Sequence, residues 1–295
     1  MYRVKAVTNT GVATAKNGYN FSRLSGINSL PAFPAVACKL LAVISNEDAS
    51  FQEVSRLIMM DTALSSQVLR FANSSLFGFR QEVNSVLRAL CLVGANRVRD
   101  IVVTLALKNY MGSDDQPMLR GCWRHSLSTA LWAEALARWY AFDRPMTYTA
   151  GILHDLGRIA LIMLSPDAYN LFLDGASGRS GQDFRGQEQD VFELDHCEIG
   201  GYLSNLWNFQ PALGDVIAYH HDPVTPASPK ARVLVQAACA AASMSGFHTV
   251  GLPREWNPAA IAELLPKTAM GIQPPLEKMR ENVLTDLNLM ECSLV

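Results

Sequence analysis

Apolar residues recur along this chain at the spacing of an α-helix, and the two-residue alternation typical of β-strands is nearly absent. Ser50 and Asp61 each precede an apolar stripe, and short polar side chains of this kind are favoured at helix N-caps. Because amphipathic helices bury their stripes against one another, we predict an all-α fold built as a helical bundle. The stripe that follows Pro34 shows the pattern: Val36, Leu40, Leu41 and Ile44.

The polar stretch at residues 112–117 interrupts this periodicity and is the best internal boundary. It holds Gly, Ser, two Asp and Pro, which favour turns over helix. We therefore predict two packed helical lobes, with short segments at either end. The predicted division is an N-terminal extension at residues 1–23, a first lobe at 24–115, a second lobe at 116–246 and a helical tail at 247–295.

Two segments of the second half carry more local signals. Residues 174–192 are rich in Gly, Ser, Gln and Asp, and we predict a mobile surface segment there. The last predicted helix spaces four apolar residues so that they form one stripe able to cover a groove of the bundle. They are Leu276, Met279, Val283 and Leu287.

Composition excludes several classes of protein. With 49% hydrophobic and 18% charged residues, the chain is not disordered over most of its length. Its 25 basic and 27 acidic residues include no basic block, so nucleic acid is not expected as the main partner. No apolar run reaches the roughly 20 residues that span a bilayer, and no C-x-x-C pair occurs. We expect a cytoplasmic protein without a membrane partner, its cysteines reduced and buried.

Histidines supply the most specific chemical signal. Five of the six fall in or at the end of predicted helices, and only His248 stands apart. Imidazoles and carboxylates are ligands for Fe, Mn, Zn or Mg, and helical bundles build metal sites from several facing helices. We predict that one cleft of the second lobe is lined by His125, His154, Asp155, His196, His220 and His221. Whether they bind a divalent metal or only make structural hydrogen bonds stays open at this point.

His154 and Asp155 are neighbours, and neighbours in a helix point about 100° apart. Both can face one centre only near a helix end, and we expect Gly157 to supply that end. In the metal-binding interpretation His154 ligates, Asp155 bridges or orients, and a metal-bound water attacks a phosphoester.

At these residues the chain resembles the HDOD domain, a bacterial signalling branch of the HD superfamily. The first lobe matches that pattern in the stretches at residues 30–37, 58–64 and 68–78. The second lobe resembles the HD part at residues 123–126, 150–158, 196–200 and 220–223. The resemblance implies a signal-transduction module that acts through a signalling protein partner or a small phosphorylated ligand.

Three positions depart from the active branches of the superfamily. Where active HD phosphohydrolases close the metal set with a late Asp, this chain has Cys239 or a neighbouring Ala. Arg158 replaces the usual Lys, and the Gly-Tyr-Pro that follows the histidine pair of HD-GYP phosphodiesterases is absent after His221. We therefore expect a degenerate metal site and no robust enzyme activity. The alternative is a metal-dependent phosphohydrolase of a nucleotide or cyclic dinucleotide, with Asp155 and Arg158 as catalytic candidates.

Overall fold

Every regular element in the described part of the chain is helical, which confirms the all-α prediction. The computed structural model describes residues 26–44, 50–74, 76–112, 116–176, 178, 184–267 and 272–294. The helices are α1 (Ala35–Ile44), α2 (Phe51–Met59), α3 (Thr62–Ala72), α4 (Val86–Val93), α5 (Ala95–Met111), α6 (Pro117–Trp139), α7 (Arg144–Leu153), α8 (Leu156–Leu164), α9 (Pro166–Ala176), α10 (Arg185–Phe192), α11 (His196–Leu206), α12 (Pro211–Tyr219), α13 (Lys230–Ala242), α14 (Pro258–Leu264) and α15 (Leu276–Leu294).

Local capping signals fix where several helices begin. Ser50 Oγ accepts a hydrogen bond from the amide of Glu53 at 3.2 Å, and Asp61 Oδ1 accepts one from the amide of Leu64 at 3.0 Å. These bonds satisfy amide groups that have no partner inside the helix. Gly94 separates α4 from α5 with a φ of 91°, a left-handed value that costs glycine little.

One hydrophobic core runs through the bundle from Ile27 in the first half to Met290 in α15. The long helix α6 lies at its centre, with α7 and α13 packed along it, while α8 packs against α11. Trp132 of α6 is fully buried at the middle of this packing. The core is continuous on both sides of the stretch at 112–117, so the division into two lobes stays a prediction. Among the described residues no helix is long and apolar enough to cross a bilayer.

Two expectations about the surface hold only in part. The described residues of the segment at 174–192 are mostly at the surface, but α9 extends into the segment, α10 occupies its second half, and Glu188 is fully buried. The polar composition of the segment does not indicate this helix, because the residues that pair with Glu188 lie outside the segment. The rest of the segment, residue 177 and residues 179–183, lies outside the described residues. The cysteines are also not uniformly buried, since Cys91 and Cys292 are exposed.

The tail helix α15 packs against α6, as its apolar stripe predicts. Val283 is 3% exposed and Leu287 is fully buried, whereas Asn282, the residue before Val283, is exposed. At the edge of this contact Arg124 Nε donates to Glu291 Oε1 at 2.6 Å. The C-terminal helix is therefore part of the packed core of the bundle.

We predict that Val283→Asp releases this helix. The substitution places a carboxylate without a partner in an apolar contact, and we expect it to cost about 3 kcal/mol or more of unfolding free energy. Asn282→Asp is the matched control, because it adds the same charge one residue away on the exposed face. Thermal unfolding and limited proteolysis measure both variants. Equal melting temperatures for the two would show that the stripe does not hold the tail.

Candidate metal centre

All six predicted site residues lie together, and each reaches the cleft from a helix end or a buried helix face. His125 lies on α6, and His154 and Asp155 form the break between α7 and α8. His196 is the first residue of α11, which the Asp195 capping box starts. His220 and His221 follow the end of α12. His221 is partly buried and the other five are at most 2% exposed.

We expected Gly157 to end a helix, but it lies in the first turn of α8. Its role is close packing, because a Cβ atom there would stand 2.6 Å from the amide nitrogen of Gly200 and closer still to the carbonyl oxygen of His196. The interruption between α7 and α8 lies just before this turn, at His154 and Asp155. The missing side chain therefore lets α8 lie directly on α11, which brings Asp155 up to His196.

Backbone carbonyls orient three of the imidazoles. Nδ1 of His125 lies 2.6 Å from the carbonyl oxygen of Phe247, and Nδ1 of His154 lies 2.8 Å from that of Gly151. Nδ1 of His220 stands 3.1 Å from its carbonyl partner, three residues earlier in α12. A carbonyl oxygen only accepts, so each Nδ1 carries the proton, and in the neutral ring Nε2 offers a lone pair. Metal-binding histidines are commonly oriented in this way.

The carboxylate of Asp155 lies between two groups of possible ligands. Its Oδ2 is 3.8 Å from Nε2 of both His125 and His154, and its Oδ1 is 3.5 Å from Nε2 of both His196 and His220. The first group of ligand atoms is that of His125, His154 and Cys239. The second is that of Asp155, His196, His220 and His221.

This donor set fits a divalent ion. Oδ1 of Asp155 and Nε2 of His220 are buried without a hydrogen-bond partner, and such atoms call for a cation, a proton or a water. Burial lowers the pKa of His154 well below its ordinary value, and burial also lowers that of His125. Both rings are therefore neutral at pH 7, the form in which an imidazole binds a metal.

A buried ion-pair network occupies the other side of Asp155. Arg158 Nε donates to Asp155 Oδ2 at 3.1 Å, and Arg158 Nη1 donates to Glu188 Oε1 at 2.7 Å and to the hydroxyl of Tyr169 at 2.9 Å. Glu188 Oε2 accepts the backbone N–H of His196 at 3.0 Å. Burial opposes ionisation of Asp155, but the Arg158 guanidinium outweighs it and holds the pKa of Asp155 well below its ordinary value.

The pKa values of two histidines on that side, His196 and His220, are raised. Burial and Arg158 lower the pKa of His196, but the Cys197 sulfur and Glu188 raise it more, to well above the ordinary value. Burial likewise lowers the pKa of His220, and Cys197 and Asp155 raise it to about 9. An imidazole that carries the extra proton must lose it before it binds a metal. The group around His196 is therefore less suited to an ion than the group around His125.

Glu188 and His248 are the residues of the site that sequence reasoning missed. His248 follows the π-helical turn at Ser243–Phe247 and lines a cavity of about 350 Å³ over the cluster, with its Nδ1 buried and unpartnered. Arg254 lines the same cavity, and His125, Asp155 and His221 contribute to its lining. No motif marks either residue, because both come from segments whose position depends on distant packing.

The chain belongs to the HDOD domain family, whose model matches residues 30–223. The solved structure of a proposed phosphohydrolase from Shewanella amazonensis SB2B is similar, with a TM-score of 0.70 and 23% identity, over 93% of this chain and 98% of that one. At that identity the likeness shows the fold alone.

Two curated relatives are similar over part of their length. An uncharacterised protein from Treponema pallidum (strain Nichols) is 23% identical over 201 residues, 66% of this chain and 38% of the relative. The cyclic di-GMP phosphodiesterase CdgJ from Vibrio cholerae serotype O1 (strain ATCC 39315 / El Tor Inaba N16961) is 31% identical over 98 residues, 32% of this chain and 22% of that protein. This chain therefore spans well under half the length of either relative.

Proposed function

We propose that this chain is a signal-transduction module of the HDOD family, which acts by binding a protein partner or a small phosphorylated ligand. One observation carries the proposal: Arg158 fills one half of the histidine cleft with a fixed guanidinium. Two-metal hydrolases hold their ions about 3.5–4 Å apart and use both on the reacting phosphate. Here Asp155 and His196, two of the four possible ligands on that side, already pair with Arg158 or Glu188. The cleft is thus a degenerate HD site.

The cavity above the cluster offers a place for the small ligand. At about 350 Å³ it lies at the lower end of the range for small-molecule sites. Arg254 supplies a positive charge suited to a phosphate, and the wall includes parts of α13 and α14. Since α13 packs along α6, a ligand that contacts α13 contacts a helix that belongs to the central packing of the bundle.

A metal-dependent phosphohydrolase of a nucleotide or cyclic dinucleotide is the second candidate. It is favoured by the opening of the cavity directly onto His125 and Asp155, where a bound phosphate would meet the cluster. The name of the Vibrio relative points to the same substrate class. When bound, a divalent ion would supply an activated water. His125, His154 and Asp155 would hold the ion, and Arg254 would orient the ligand.

Turnover and binding assays separate the two candidates. With added Mn or Fe, we expect the purified protein to show no robust hydrolysis of nucleotides or cyclic di-GMP. We expect a phosphorylated ligand from the same panel to raise the melting temperature, because a ligand that binds only the folded state stabilises it. That shift should shrink in Arg254→Gln. Steady hydrolysis that both a chelator and His154→Ala abolish would establish the phosphohydrolase instead.

A further inference from the structure

Nε2 of His125 and Nε2 of His154 face each other at 3.3 Å. Both rings donate their Nδ1 proton to a backbone carbonyl, so in the neutral state both facing nitrogens are acceptors. Two acceptors at this distance repel unless something positive lies between them. The Cys239 thiol, with its sulfur 3.5 Å from Nε2 of His125, can donate its single proton to one nitrogen but not to both. The arrangement therefore calls for a cation or a further proton between the two rings, and the distances between the possible ligand atoms favour the cation.

From this arrangement we propose that His125, His154 and Cys239 form a thiolate-containing site for one Zn²⁺ ion. The position of the late Asp in active HD enzymes is then a ligand position whose oxygen donor has been exchanged for sulfur. This inference goes beyond the signalling role, since it concerns the identity of the ion and is testable without substrate or partner.

Two distances between the proposed ligand atoms match tetrahedral zinc, and all three atoms lie within 4.8 Å of one another. Bonds of about 2.05 Å to nitrogen and about 2.3 Å to sulfur, at a tetrahedral angle, separate two nitrogens by about 3.3 Å and a nitrogen from the sulfur by about 3.6 Å. The observed separations are 3.3 Å between the two Nε2 atoms and 3.5 Å between Nε2 of His125 and Sγ of Cys239. Asp155 Oδ2 stands 3.8 Å from both nitrogens, which puts the fourth position on the Asp155 side.

Ligand chemistry supports the same ion. On binding, Zn²⁺ displaces the thiol proton of Cys239 to solvent through the cavity that Cys239 lines, and the zinc–thiolate unit carries one positive charge. The buried carboxylate of Asp155 lies beside this unit and offsets its charge. Thiolate also favours zinc over Mg or Mn.

Metal analysis and cobalt spectroscopy test the site in the full chain. We expect one Zn per chain after purification in the presence of equal Zn, Mn and Fe. The Co²⁺-substituted protein should show a near-ultraviolet thiolate-to-cobalt charge-transfer band. Cys239→Ser should lose that band and bind Zn at least about 100-fold more weakly, since even the loss of an outer-shell partner costs 10–100-fold. Cys239→Asp should also lose the band while it gains affinity for Mn or Fe.

Cys197→Ser is the matched control, because that thiol lies in the same cleft, 3.8 Å from Nδ1 of His220, but in the other half. It should keep both the band and the zinc. Should Cys239→Ser fail to fold by circular dichroism, alkylation of the parent replaces it: zinc should protect Cys239 and leave the exposed Cys91 reactive. A band unchanged in Cys239→Ser, no stoichiometric zinc, or no protection of Cys239 would each overturn the proposal.

Discussion

Gly157→Ala is expected to yield a protein that does not fold stably. The new methyl group would meet two backbone atoms, the amide nitrogen of Gly200 and the carbonyl oxygen of His196, and neither can rotate away. Relief requires α8 and α11 to move apart. Overpacking a core ordinarily costs about 1–3 kcal/mol, and a clash against backbone on both sides lies at or above the upper end. Total stabilities of about 5–15 kcal/mol leave little margin for that loss.

Separation of α8 and α11 would also change the geometry of the histidine cleft. Arg158 belongs to α8 and His196 to α11, so the contacts of Arg158 Nη2 with the two ring nitrogens of His196, at 3.1 Å and 3.2 Å, would lengthen. Gly175→Ala is the control, because Gly175 lies in α9 with no atom within 4 Å of an added Cβ. It should be neutral or slightly stabilising, since Ala is the better helix former. Chemical denaturation and near-ultraviolet circular dichroism measure both variants, and equal midpoints would refute the packing role of Gly157.

Sequence alone predicted what depends on local chemistry. The N-caps at Ser50 and Asp61 lie within three residues of the amides that they satisfy, so the starts of these helices could be located from the pattern. The histidine cleft was also within reach, because a helix end at His154 and Asp155 allows both side chains to face one centre. Membership of the HDOD family followed from the order of many short matches.

What sequence reasoning missed depends on contacts between distant segments. Glu188 lies in a stretch whose composition favours a loop, and its burial is compensated by Arg158, 30 residues away, and by the backbone N–H of His196. His248 reaches the cavity because the chain turns after α13, a direction that no local signal encodes. Cys239 was interpreted as a lost ligand, since a pattern shows which residue is absent but not where the replacing sulfur points. The ligand roles themselves stay predictions.

Arg158→Met is expected to be the most destabilising substitution of a charged residue in the cleft. It leaves the carboxylates of Asp155 and Glu188 buried without the guanidinium that both contact. Removing one partner of a buried ion pair typically costs about 3–5 kcal/mol, because the remaining charge is neither solvated nor paired. Arg138→Met is the control, since the Arg138 side chain is 67% exposed where it pairs with Glu134. Such surface pairs contribute only about 0–1 kcal/mol to the free energy of unfolding.

The pH dependence of the stability lost in Arg158→Met identifies the cause of that loss. In the parent protein burial opposes ionisation of Asp155 and Glu188, but Arg158 holds the pKa of both below their ordinary values. This stabilisation is present above the pKa of the unfolded carboxyls, about 4, and is lost as the pH falls below it. In Arg158→Met the same carboxyls should take up protons more readily than in the unfolded chain. Lowering the pH should therefore raise the unfolding free energy of the variant while it lowers that of the parent.

The difference in unfolding free energy between parent and Arg158→Met should therefore narrow from pH 7 to pH 4, and denaturant titrations across that range measure it. Adding Glu188→Gln to Arg158→Met removes one of the two buried carboxylates that have lost the guanidinium, so the double variant should recover part of the lost stability. A deficit that stays constant with pH and is not relieved by Glu188→Gln would mean that Arg158 contributes packing and not charge. In that case the guanidinium would not be the cation that fills this half of the cleft.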